Sequence, residues 1–509
     1  MTRVAERGNP GRLSPLWAPS RGGAARWGYS QGVVYAPRCT GEDEQGLRRG
    51  ECRGRPSRPL RNSPGGVGPS QEASAQADRV RSVAQEAPAV GSAASDDSVK
   101  TTGDPRQGPR PLAGVRVLAI ENFVAGPYGS MLLADFGAEV IKVEPPETGD
   151  GYRHVGIIRE RDGQHASSGF LRVNRNKRSV ALNLQAPEGK DLFRRLARQA
   201  DVVWENLRPG VMDRLGLGYR VLAEDNPRLV YASVSGFGHT DIYQSPYTQM
   251  PAFDSLAQAM SGIVYRPGRE GDPPVFLGFA LSDTYSGVLA AFGVVLALQT
   301  RAITGRGQHV DVSMYDALLT LNEHAITDYA AGEPITRGGA PASAPFGLFR
   351  VADGYISIGV VGQPIWQRFC AAIERPDLLS DERLRDGADR SRRQEDVLRP
   401  IIEAWGATRT RAEAVALLSS AGVPAAPVQT VDDILACPHV RERRMLLRID
   451  DPIFGALDVV GNPIKFSDVP EVTADTPPSL GADTAHLLGS LLGIGDDELA
   501  RLRAAGIVG

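Results

Sequence analysis

Within about thirty residues, from Val115 to Glu144, the chain runs strand, loop, helix, strand, and that order admits few folds. Val115 to Ile120 is apolar and β-branched, Glu121 to Pro127 is a loop, Tyr128 to Phe136 suits a helix, and Glu139 to Glu144 is a second strand. Two such strands joined by a helical crossover lie parallel, which predicts a parallel sheet flanked by helices. Sheets of this kind take ligands at the carboxyl ends of their strands. Gly126 and Gly129 follow the first strand, but the third glycine of a dinucleotide fingerprint is missing.

The alternation continues with strands at Ser179 to Leu184, Val202 to Glu205 and Leu229 to Ser235, and with a helix from Pro187 to about Gln199. Phe253 to Gly262 reads as a short helix capped by Asp254. Gly305 to Val312 gives a turn and then a strand, and Met314 to about Ala330 a helix. Residues 111–330 therefore form one α/β domain. The Gly, Pro and Ala cluster of residues 331–345 marks a linker into a smaller mixed α/β domain that runs to about residue 445. Leu447 to Val460 reads as paired strands, followed by helices at Thr484 to Leu492 and Asp496 to Ala505.

Composition limits the function classes. A formal net charge of −3 in 509 residues gives no general attraction for nucleic acid. The most apolar segment, Val288 to Leu298, is too short to cross a membrane and predicts a buried helix. Cys39, Cys52, Cys370 and Cys437 lack the spacing of a metal site or a disulfide framework, so no metal is expected and a reducing cytoplasm is the default. Residues 1–110 are rich in Gly, Pro, Ser, Ala and Arg without apolar periodicity, which predicts disorder. Arg3, Arg7, Arg12, Arg21 and Arg26 fit an organelle transit peptide, and equally an over-extended start in a GC-rich gene.

Asp283 stands where the loop Gly278-Phe279-Ala280-Leu281-Ser282 becomes the apolar helix. Two readings of it are open. It can be an N-cap, kept ionised at neutral pH by the helix dipole, or a carboxylate nucleophile that forms acyl intermediates.

Several phrases in their order and spacing resemble the family III CoA-transferases, the group of formyl-CoA transferase, carnitine CoA-transferase and alpha-methylacyl-CoA racemase. They are Pro111 to Leu118, Ala125-Gly126-Pro127, Gly137 to Glu144, Asn176 to Ser179, Glu205-Asn206 and Thr304 to Gln308. The resemblance covers residues 111 to about 505 and implies a Rossmann-like large domain built from both ends of the chain, with residues 446–509 returning to it. It also implies an interlocked homodimer.

In that family the aspartate of Gly-Asp-x-x-x-Gly is catalytic, and Ser282 to Gly287 falls on the phrase with serine in place of the first glycine. Coenzyme A enters as a substrate, and no permanently bound cofactor is implied. By match to the family, CoA contacts fall at Val124 and Ala125, at Leu182, Asn183, Leu184 and Gln185, at Asn206, Leu207 and Arg208, at Arg214, and at Ala252, Phe253 and Asp254. Pro145 replaces an arginine that touches CoA in formyl-CoA transferase, which leaves Lys177 and Arg178 as candidate substitutes. The glycine-rich loop of that enzyme has no evident counterpart in Arg337 to Phe349, so oxalate is not favoured as the acceptor acid.

The implied activity is transfer of CoA from an acyl-CoA to a small carboxylic acid through an aspartyl-CoA thioester. The alternative is a 2-methylacyl-CoA racemase, which needs a base to remove an α-proton. In the racemase a histidine precedes the acid that matches Asp254. Here that position is Phe253, and His309, His324 and His439 match no such position. A CoA-binding protein without catalysis is a third reading, favoured only if Asp283 were absent.

Overall fold

Six short apolar strands lie side by side, all parallel, in the order β3-β2-β1-β4-β5-β6. They are β1 (Arg116–Ile120), β2 (Glu139–Glu144), β3 (Arg178–Ala181), β4 (Val202–Glu205), β5 (Val230–Ser235) and β6 (His309–Ser313). Leu118 pairs with Ile141 on one side and Val203 on the other, so strand runs apolar on both faces end up in the middle of the sheet. The computed structural model describes residues 108–239, 242–333, 335, 337–339 and 343–509.

Alternation of side chains divides the core between the two faces of the sheet. Leu118, Ile141, Val180 and Val203 pack on helix α2 (Pro187–Ala197), joined by Leu487, Leu488, Leu499 and Leu502 of the helices Thr484–Leu492 and Asp496–Ala504. The last residues add an antiparallel bridge from Leu182 to Val508. On the other face Val117, Val140 and Trp204 pack on α1 (Ala125–Asp135) and α4 (Leu281–Thr304). A separate core, with Phe349, Ile356, Trp366 and Phe369 at its centre, lies under the three-stranded sheet of Phe346–Val351, Gly354–Gly359 and Ala425–Pro427.

Helix α1 starts at Ala125, three residues before the expected Tyr128, because Pro127 falls in the first turn where its missing N–H leaves no bond unmade. The expected helix from Met314 to Ala330 breaks at Asn322, whose amide donates to the Ser261 carbonyl at 2.9 Å, into α5 (Met314–Leu321) and Glu323–Ala330. At the other end of the chain the packed structure begins slightly before residue 111. Gly108 meets Pro470, and the stem of Arg110 lies over Gly137. The expected disorder of residues 1–107, together with Cys39 and Cys52, lies outside the described residues.

The expectation for the apolar segment needs correcting. The helix is 24 residues long, and only one stripe of it, Ser282, Ser286, Gly287, Ala290, Ala291, Val294 and Ala297, is buried. Val288, Phe292, Val295 and Leu296 face outward, Phe292 at 60% exposure. By length and composition alone α4 could cross a membrane. Its buried stripe, however, packs on the sheet and on α1, and Arg301 near its far end binds Asp201 at 2.9 Å.

Helices α1 and α4 touch backbone to backbone. A Cβ on Gly129 would lie 2.5 Å from the Gly287 carbonyl oxygen and 2.6 Å from the Trp204 ring, and one on Gly287 would lie 2.6 Å from the Ala125 oxygen. Gly129→Ala is therefore expected to destabilise the protein by about 1–3 kcal/mol, the usual range for overpacking. Urea unfolding would measure this, and an unchanged midpoint would show that the helices can part at no cost.

Candidate active site

Because every strand of the large sheet is parallel, the loops after β1 to β6 all emerge on one edge. Strand order reverses between β1 and β4, the position where such sheets open a crevice. Asn206, after β4, spans that crevice. Its Oδ1 accepts from Asn122 N at 2.8 Å and its Nδ2 donates to Asn122 O at 2.9 Å, which fixes the loop after β1. Gly126 admits this side chain, since a Cβ there would come within 2.8 Å of it.

Buried charges set the neighbouring loops. Lys177 donates to Glu121 at 2.7 Å, and Lys142 bonds Asp150 at 2.9 Å and Glu121 at 3.4 Å, all with fully buried side chains. Arg153 grips Glu144 through two contacts of 2.7 Å. Burial alone would raise the Glu121 pKa, but Lys177 and Lys142 outweigh it and hold the carboxyl below its ordinary value. For Lys177 burial wins and lowers its pKa to about 8, against the pull of Glu121. Asp150 then accepts from Phe123 N at 3.0 Å and Tyr152 N at 2.9 Å, so the network shapes the loops after both β1 and β2.

Helix α4 delivers Asp283 to the same edge. Asp283 is not the cap. Ala280 occupies the N-cap position and Asp283 lies within the first turn, with no side-chain capping bond. The free N–H groups are taken instead by Asp254, whose Oδ1 accepts from Ser282 N at 2.7 Å, Ser282 Oγ at 2.8 Å and Asp283 N at 3.4 Å. Asp254 was expected to cap its own helix α3 (Asp254–Met260), but it is that helix's first residue and Phe253 is the N-cap. Gln258, one turn on, donates to Asp254 Oδ2 at 2.5 Å and to Phe279 O at 3.0 Å, which holds the cap in place.

This arrangement changes the chemistry expected of Asp283. Burial, and next the negative charge of Asp254, raise its pKa to about 7, against the pull of Arg172. The helix dipole was expected to keep it ionised at neutral pH; desolvation and a like charge outweigh the dipole. Around neutrality the carboxyl is poised between acid and nucleophile.

The pattern of CoA-transferase family III matches residues 112–484. The chain belongs to CoA-transferase family III. It is 38% identical to succinyl-CoA:mesaconate CoA-transferase of Haloarcula hispanica, over 74% of this chain and 95% of that one. It is 37% identical to acetyl-CoA:oxalate CoA-transferase of Acetobacter aceti, over 70% of this chain and 89% of that one. Among solved structures, a CaiB/BaiF family protein from Brucella suis superposes with a TM-score of 0.67 at 33% identity, over 76% of this chain and all of that one.

In this family III enzyme the residues expected to touch CoA gather along the loop-bearing edge. Val124 is the N-cap of α1 and Ala125 its first residue, both buried. Leu182 is buried in the core, Asn183 N donates to Ile507 O at 2.8 Å, Leu184 packs on that core, and Gln185 is exposed. Leu207 N donates to Glu205 at 2.6 Å. Arg208 and Arg214 are exposed. Ala252 packs against Gly236 after β5, and Phe253 is 59% exposed. Of the candidate substitutes for the arginine absent at Pro145, Lys177 is buried against Glu121, and Arg178, at the start of β3, pairs with Glu139 at 3.2 Å. Among the described residues no group of three or more His, Cys, Asp or Glu side chains is placed to hold a metal ion.

Sequence reasoning passed over Phe123, Tyr152 and Arg172, which meet one another beside the start of α1. Tyr152 forms a small buried cluster with Val124 and Val173, against which Ala280 packs, and the Phe123 ring lies 6.1 Å from it. Phe123 has a left-handed backbone, φ 61°, which Asp150 secures through its N–H.

The Asp283 pKa has a consequence for stability. A carboxyl whose pKa rises on folding stabilises the native state least where it must be ionised, so its cost builds from the ordinary range near 3.8 up to about 7 and is complete above that. Asp283→Asn is expected to be more stable than the parent protein at about pH 8 and little different at about pH 4. Thermal melts at the two values would check this, and a variant less stable at high pH would mean that the charge supports the fold.

Proposed function

We propose that this enzyme moves CoA from an acyl-CoA donor to a free carboxylic acid through an aspartyl-CoA thioester on Asp283. The observation that carries the reading is the placement of Asp283. It sits in the first turn of α4, on the ligand-binding edge of the sheet, with its backbone N–H engaged by Asp254 and its own side chain not used as a cap.

The Asp283 carboxylate attacks the donor carbonyl and the CoA thiolate leaves, giving a mixed anhydride. The thiolate attacks the aspartyl carbonyl, which expels the donor acid and leaves aspartyl-CoA. The acceptor carboxylate repeats the sequence in reverse, and the carboxylate of Asp283 returns unchanged. No net proton is required. We assign CoA to Val124, Ala125, Leu182 to Gln185, Asn206 to Arg208, Arg214 and Ala252 to Asp254, with the exposed guanidinium groups of Arg208 and Arg214 suited to its phosphates. Relatives whose names pair succinyl-CoA with mesaconate, or acetyl-CoA with oxalate, support a small carboxylic acid as acceptor.

Epimerisation fits less well. Phe253 offers no titratable atom where a proton shuttle would need one, and the transfer mechanism needs none. We take residues 331–445 as the linker and small domain, residues 446–509 as returning to the large domain, and the cytoplasm as the place of action. We also infer a homodimer that covers Val288, Phe292, Val295 and Leu296 of α4, because monomeric proteins rarely leave so contiguous an apolar face in water. A single-chain mass in sedimentation equilibrium would remove that inference.

Incubation with acyl-CoA followed by hydroxylamine is expected to leave a hydroxamate on the peptide that contains Asp283, and Asp283→Asn is expected to lose both the adduct and the exchange. In the parent enzyme kcat/KM should rise with pH and level off above about 7, since the ionised form is the nucleophile. Exchange of α-protons with solvent and no adduct would overturn the assignment.

A further inference from the structure

The last residue of β4 is a buried acid, Glu205. It pairs with Ser233 of β5, which pairs in turn with Asp311 of β6, so the three side chains form one row on one face of the sheet. The same face carries Val203 and Tyr231, and it is covered by Leu207, Met212 and Leu217 of the segment that follows β4. His239, in the loop after β5, closes the row. Its Nε2 lies 3.5 Å from Glu205 Oε1, and its backbone N–H donates to Asp311 Oδ2 at 2.8 Å. His309 of β6 bonds the Ser233 hydroxyl at 2.7 Å.

Glu205 Oε2 accepts from Leu207 N at 2.6 Å, two residues along its own chain, while Oε1 has no hydrogen bond among the described residues. Burial raises its pKa to about 8, with Asp311 and Asp213 adding to the rise and the Leu207 N–H opposing it. At neutral pH the group is therefore mostly the neutral acid. A buried acid with one oxygen unpaired costs stability. Stability thus does not explain Glu205, whereas the loop it grips does. Leu207 stands between Asn206, which spans the crevice beside β1, and the exposed Arg208. The turn continues through Arg208 O, which accepts from Val211 N at 3.0 Å, into the short helix Val211–Leu215 that bears Arg214.

We propose that Glu205 is a positioning residue for CoA: by accepting the Leu207 N–H, its carboxyl fixes the turn on which Asn206 and Arg208 meet the ligand. This rests on the CoA assignment above. Glu205 touches no reacting atom and has no part in bond making; it acts through the backbone of the next three residues.

The test is titration calorimetry with CoA itself, alongside the kinetics of exchange. Glu205→Met removes the acceptor and keeps the length of the side chain, and Glu205→Gln keeps an acceptor oxygen in the same place. Glu205→Met is expected to weaken CoA binding about three- to tenfold, the worth of one hydrogen bond. KM for acyl-CoA should rise by the same factor, with kcat and KM for the acid little changed. Glu205→Gln should stay within about twofold of the parent, whose own carboxyl is mostly uncharged at neutral pH. In an Arg208→Ala background Glu205→Met should cost less than in the parent, because residues that act through one another are not additive. Glu205→Ala repeats the comparison if methionine does not pack.

A folded Glu205→Met protein with parental affinity for CoA would overturn the proposal. So would a Glu205→Gln variant that loses as much as Glu205→Met, or a cost of Glu205→Met that is the same with and without Arg208. If the parent protein binds no CoA, the CoA assignment fails first and this role falls with it. Intact CoA binding without a hydroxylamine adduct on Asp283 would remove the transfer reading alone.

Discussion

The contact between Gly129 and Gly287 decides where the chemistry happens. With no side chain on either residue, α1 and α4 meet at backbone distance, and Trp204 beneath them leaves no room for a Cβ on Gly129. Helix α1 begins at the end of β1, so its position follows from the sheet. Helix α4 has no strand immediately before it, and this crossing brings its first turn to the same edge. Asp283 is four residues from Gly287, about one turn, so fixing the crossing also fixes the carboxyl.

Asp254 then resolves a competition. A helix N-terminus needs acceptors for its free N–H groups, and Asp283 was the nearest carboxylate in sequence to supply them. Had it done so, its oxygens would be occupied and its pKa low. Asp254 takes that duty from across the fold, held by Gln258, and leaves the Asp283 side chain available. The cost is a second negative charge nearby, which together with burial lifts Asp283 to about 7. Reactivity and ionisation are thus set by which of two aspartates binds the backbone.

Much of the large domain was legible because its strands are short, largely apolar and β-branched segments that alternate with helical ones. Glu139–Glu144 and Val202–Glu205 fall where the sequence places them, and the others within a few residues. What was not legible has a common cause, which is dependence on partners distant in sequence. The cap of α4 comes from 28 residues away, so a local rule assigned it to Asp283. The outer face of α4 is as apolar as its buried stripe, and composition cannot tell a face covered by the same chain from one left open. Lys177 and Arg178 look like free cations until Glu121 and Glu139 fold against them. Tyr152 and Arg172 belong to the segment between β2 and β3, where the exposed hairpin Ile158–Arg161 and Gln164–Ser167 breaks the alternation of the sheet.

The buried ions beneath the site have a consequence for how the sheet assembles. Lys142 lies opposite Ala119 of β1 and Ser179 of β3, and in that pairing its ammonium reaches both Glu121 and Asp150. A slip of β2 by one residue would turn Lys142 to the opposite face, among Leu118, Val180 and Val203, and leave Asp150 without its cation. An apolar residue in its place would tolerate either alignment. An uncompensated charge in the core costs several kcal/mol, a large part of a domain's whole stability. The ion cluster therefore ties the register of β2 to the loops that carry Glu121 and Asp150, so that one strand alignment is favoured over its neighbours.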